Sequence, residues 1–251
     1  MISSQNETLP GHLDAIRAWS APGARHRADP ISRIEWGVYL TLAVSMLALF
    51  LVVRSGDRAL VAALIAESGW FERPSPLAWA VLALLVPMAA GLSRRSVSLA
   101  LLCLLFGMRE LDWHQVVAGT SFLKINFYRS AEIALSQKLL GGALGLLSVG
   151  TVLWALALNV PRFVRDRAFD RSWGRIVVLA VALIAFAKFL DRLPALLGGY
   201  LNEPAHWEPL AMANLHEEWF ELFAPLVLCA AALLHWRAAR ADAGPDLKVA
   251  Q

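Results

Sequence analysis

The chain predicts an all-α fold: a polytopic transmembrane bundle of about six spans, with one short interfacial or re-entrant helix near 58–68. Three observations point there. Of 251 residues, 58% are hydrophobic and 17% charged, whereas a soluble domain carries roughly a quarter charged residues. The apolar excess falls in long blocks, so it reads as lipid-facing surface and not as one enlarged core. Tryptophans (Trp36, Trp70, Trp113, Trp173, Trp207, Trp219 and Trp236) stand at many of the block ends, which is the aromatic-belt pattern of membrane interfaces.

Taken in order, residues 1–33 are polar, carry Pro10, Pro22, Gly23 and Pro30, and lack an apolar signal-peptide core. They predict a mostly disordered cytoplasmic arm with at most one short helix, around Leu13 to Trp19. Six apolar blocks follow, at about 34–53, 76–92, 97–108, 139–160, 176–190 and 219–236. A hydrocarbon core of ~30 Å takes ~20 helical residues, so the first and fourth blocks span unaided. Ala59 to Ala66 is too short to cross and reads as the interfacial helix. The domain assignment is therefore an arm over 1–33, a membrane domain over 34–236 and a cytoplasmic tail over 237–251.

Lys and Arg number fourteen on the side of the termini and nine on the other. This places both termini in the cytoplasm of a cell whose inner membrane holds the protein. Net charge is only +3, with no long basic run, so nothing points to nucleic acid. The two cysteines, Cys103 and Cys229, lie inside apolar blocks and read as small hydrophobes. Gly141 and Gly145 form a small-xxx-small face suited to helix packing. Glu35 and His235 read as ordinary interfacial residues.

The third and fifth blocks are too short to cross unless they continue into charge. The third must run on through Arg109, Glu110, Leu111, Asp112, Trp113 and His114; the fifth contains Lys188 and continues into Asp191 and Arg192; the sixth opens on His216, Glu217, Glu218 and Glu221. Charges at membrane depth cost ~2.5–3.5 kcal/mol each even on lenient scales, so they face the bundle interior and pair. The i,i+4 pairs Glu110/His114, Lys188/Arg192 and Glu217/Glu221 each put two groups on one face. A polar cluster between the third, fifth and sixth spans, on the non-cytoplasmic side, is the expectation. Pro225 lacks an N–H and frees the carbonyl of Glu221; this is either a ligand or water site, or a kink satisfied by a neighbouring serine or a water. Loop residues Lys124 and Arg129, with Glu67, Glu203 and His206, face the same compartment.

The preferred function is binding of an ion, lipid headgroup or small polar ligand, with a link to transport, through Arg109, Glu110, Asp112, Lys124, Arg129, Lys188, Asp191, Arg192, Glu217 and Glu221. The first alternative is a membrane hydrolase using a divalent metal on His114, His216 and Glu218, since three N/O ligands plus water is the catalytic zinc pattern. The second is a scaffold whose charges only fix helix register. Partners on these readings are the lipid bilayer and a membrane-protein partner or second copy. No catalytic residue is assigned.

Overall fold

The computed structural model describes residues 28–66, 70–115, 119–196 and 207–242. Among these the regular elements are all helical, without a strand: α1 (Arg33–Arg54), α2 (Arg58–Leu64), α3 (Pro74–Ala90), α4 (Arg94–Glu110), α5 (Ile125–Arg129), α6 (Leu135–Arg165), α7 (Ser172–Leu196) and α8 (Trp207–Asp242), with 3-10 turns at Trp113–Gln115 and Ala168–Asp170. α1, α6 and α8 are long and apolar enough to cross a membrane; α3 is a shorter apolar helix.

Helix ends follow local chemistry. α1 opens on a capping box: Ser32 Oγ accepts from Glu35 N (3.1 Å) and Glu35 Oε2 accepts from Ser32 N (3.4 Å). It stops at Ser55-Gly56, where Gly56 takes φ +74°. Asp57 caps α2 by accepting from Leu60 N at 2.9 Å. Pro74 sits in the first turn of α3, where a missing N–H costs nothing. Ser93 and Ser96 cap α4 through a second box.

α8 is the hub. It packs along α7, α3 and α1; α3 pairs with α4, and α4 with α6. The α7–α8 seam alternates small and large buried residues, Ala180, Ala187, Ala224 and Ala231 among Leu183, Phe220, Phe223 and Val227, which lets the helices approach closely. A second core joins α1, α2 and α8 through Val53, Val61 and Leu215. A third lies between α3 and α4, where Trp79 stacks on Phe106 at 4.7 Å. Asn159 of α6 donates to Ser98 Oγ of α4 at 3.2 Å. α1 and α6 leave most of their apolar surface outward, with only 11% of each apolar window buried, as a lipid-facing helix does.

Several boundaries differ from the sequence expectation. The third span does not run helically through His114: α4 ends at Glu110, and Asp112 adopts φ +49°, a left-handed turn that Asp tolerates. Glu110 and His114 therefore do not share a helix face. α8 starts at Trp207, twelve residues before the expected Trp219, and continues through 237–242 into the expected tail. Pro209 falls in its first turn, where proline is compatible with a helix. Gly141 packs against the short α5 and the turn before it, not against another long helix: a Cβ there would meet Phe122 at 2.8 Å and Phe127 at 2.9 Å. The expected helix within the N-terminal arm, together with Glu67, Glu203 and His206, lies outside the described residues.

Candidate functional site

Four helices converge on one cluster of charge. The α3–α4 hairpin turns at Gly91 and brings Ser75, on the first turn of α3, beside Glu110, on the last turn of α4. Ser75 Oγ lies 3.3 Å from Glu110 Oε2. α7 carries Lys188 and Asp191 into the same region, and α8 presents Glu217 and Glu221 one turn apart.

The ion pairs are explicit. Arg109 reaches Glu110 Oε1 at 3.2 Å and Glu221 Oε1 at 3.3 Å. Lys188 pairs with Glu221, and lies 3.9 Å from Glu217 and 3.8 Å from Asp191. The carboxylates are the more withdrawn groups: the side chains of Glu110, Glu221 and Glu217 are 7%, 16% and 17% exposed. Arg109 and Lys188 keep part of their length in the open, as long basic side chains at membrane edges do.

The carbonyl freed by Pro225 is found by Ser75, whose Oγ also lies 3.3 Å from Glu221 O. A neighbouring serine is thus the partner, one of the two arrangements expected from the sequence. Trp79, Phe106, Ile184 and Ala187 close the apolar side of a cleft whose polar side is Arg109, Glu110, Lys188 and Glu221; its free volume is about 10 Å³, room for about one water. The indole N–H of Trp79 is buried without an acceptor among the described residues.

Not every expected residue joins. Arg192 is 78% exposed and, among the described residues, pairs with Asp191 alone, at 3.9 Å. Lys124 caps α5 and Arg129 ends it; both are exposed and make no ion pair with the cluster among the described residues. Asp112 is exposed on its left-handed turn, 3.7 Å from His114 Nε2. His216 is buried, with Nδ1 2.7 Å from Met212 O, an ordinary i–4 tie on its own helix. Glu218 is half-buried and takes no part in the pairs to Arg109 and Lys188. Among the described residues no group of three or more His, Cys, Asp or Glu is arranged to hold a metal ion.

No family model, curated protein or solved structure matches the chain.

Sequence reasoning passed over two features. One is Ser75, which carries no charge to flag it. The other is a second network at the opposite end of α7. There Glu35, fully buried, accepts from Arg175 Nε (2.7 Å) and Nη2 (2.9 Å), Ser172 Oγ (2.5 Å) and Tyr39 Oη (2.8 Å). Arg175 also donates to the carbonyls of Asp170 and Asp29. Glu35 is thus no ordinary interfacial residue: with every lone pair used, it ties α1 to α7, and the Arg175 it holds bonds residue 29 in turn.

Proposed function

We propose that this is a multi-pass protein of a cell inner membrane, crossing six times with both termini in the cytoplasm, and that its non-cytoplasmic cluster binds a small cation, a proton in the first instance. The observation that carries the reading is the imbalance of charge. Among the described residues, Glu110, Glu217 and Glu221 lie around two cations, Arg109 and Lys188, while Asp191 is shared between Lys188 and the outward Arg192. An excess of carboxylates in low dielectric is relieved by taking up positive charge. The cleft, with room for about one water, suits a proton or a single small cation.

α7, at 25 residues, is long enough to cross once its polar end is included, and α3 and α4, at 17 residues each, lie at the short end of the ~17–25 residues a span takes; beside the three apolar helices this supports six crossings. Coupling of the bound proton to transport of a solute, or to a partner subunit, is the role such a cluster performs in the membrane. The scaffold reading draws on one observation of its own, that each charge of the cluster already has a partner within the chain.

Infrared titration of the full chain in nanodiscs separates the two. A protonated-carboxyl band that grows as pH falls, and that is lost in Glu110→Gln or Glu221→Gln, is expected. A well-folded wild type whose carboxyl band ignores pH discards proton binding and leaves the scaffold.

A further inference from the structure

We infer that Ser75 is a positioning residue that transmits the protonation state of Glu110 to the helical hydrogen bond that α8 lacks at Pro225. The inference rests on the proton-binding reading and extends it to how the cluster communicates with the fold.

The geometry is a matter of one hydrogen and two acceptors. Ser75 Oγ lies 3.3 Å from Glu110 Oε2 and 3.3 Å from Glu221 O, and the side chain is buried. A serine hydroxyl has a single O–H to donate. Pro225, itself fully buried, supplies no N–H to Glu221 O, so no helical donor competes for that carbonyl.

With Glu110 ionised, the hydroxyl is drawn to the carboxylate, because a charge-assisted bond is the stronger. The Glu221 carbonyl is then left short of its donor, which is costly where water is excluded. Arg109 holds Oε1 of Glu110 at 3.2 Å, so an arriving proton goes to Oε2. The new O–H donates to Ser75 Oγ, and Ser75 turns its own hydrogen to Glu221 O. One proton thus completes a chain from carboxyl to hydroxyl to carbonyl, and supplies Glu221 O with the donor that Pro225 lacks.

The groups facing Glu110 are consistent with this. Arg109 is beside it on α4; Glu221 and Glu218 face it from α8, Lys188 from α7, and Ser75 from α3. Glu72, just ahead of α3, faces Glu218. Neutralising Glu110 leaves Arg109 and Lys188 committed to Glu221, so the rest of the network stands while the hydroxyl swings.

The test uses the full chain in nanodiscs with two readouts. The infrared carboxyl band reports proton uptake. Spin labels at Pro209→Cys and Arg237→Cys, both exposed, in a background lacking Cys103 and Cys229, report the distance across Pro225. In the otherwise unaltered chain, band and distance are expected to titrate together. Ser75→Ala keeps the carboxyl titration and loses the distance change, whereas Ser75→Thr, which restores the hydroxyl, recovers it. Pro225→Ala returns an N–H to Glu221 O and makes the distance insensitive to pH, so it decides the matter even if the Ser75 variants fail to fold. A distance change that persists in Ser75→Ala or in Pro225→Ala overturns the inference while proton binding survives. A carboxyl band indifferent to pH overturns the proposed function first, and the inference with it.

Discussion

Glu35 and Glu221 are both carboxylates in apolar surroundings, and their partners define two different tasks. Glu35 meets a complete set of donors, two of them from one guanidinium, a planar match that lysine cannot reproduce. Glu35→Ala strands Arg175 among groups arranged for a carboxylate. A loss of about 3 kcal/mol is expected, at the lower end for a broken buried pair, because Arg175 retains some solvent contact; reversible unfolding in detergent measures it, and a loss below about 1 kcal/mol speaks against a structural role. Glu221 instead shares one oxygen, Oε1, between Arg109 and Lys188 beside other acids. Its pairing was legible in the sequence, since a charge inside an apolar block has to find a partner. Glu35 was not, because it stands next to Ser32 at a helix start and its partner lies 140 residues further on. Ser75 was invisible for another reason: a hydroxyl fits either water or protein and announces neither.

The helices themselves followed from the apolar blocks, since ~20 apolar residues in succession have few other structures open to them. Their ends did not follow, because those depend on single dihedral angles and single caps. Asp112 closes α4 by one left-handed residue, and Trp207–Leu215 joins α8 because it packs on α1 and α2 through Ala211 and Leu215. The glycines show the same dependence on neighbours. A Cβ on Gly174 would lie 1.8 Å from the carbonyl oxygen of Ala168, whereas one on Gly150 meets nothing within 4 Å. Gly174→Ala is expected to cost about 3 kcal/mol as the Ala168–Asp170 turn is pushed off α7, and Gly150→Ala to be neutral or to stabilise by about 1 kcal/mol through helix propensity. Thermal melts of the two variants side by side check the pair; equal melting temperatures contradict this packing.

Taken together, the helices place two polar networks at opposite ends of one bundle, Glu35 with Arg175 at one and Glu221 with Lys188 at the other. Six crossings require these ends to lie on opposite sides of the bilayer. Single cysteines replacing Arg94 and Arg129, both exposed, in a background without Cys103 and Cys229, make the arrangement measurable. Intact cells are expected to admit an impermeant maleimide to position 129, and to position 94 only after permeabilisation; the reverse pattern inverts the orientation, and labelling of both from one side removes the six-crossing reading. The expected orientation comes from the Lys and Arg bias alone, while the convergence of α3 on the acidic cluster had no counterpart in any charge count.

The tight link at Gly91 gives the α3–α4 hairpin a mechanical character. Ser75 and Glu110 sit at its open tips, so they travel as a unit, like the jaws of tongs joined at the far end. A tilt of that unit about Gly91 parts the serine from α8 while leaving it beside its own glutamate, and the contact most easily surrendered is therefore the one to the carbonyl ahead of Pro225.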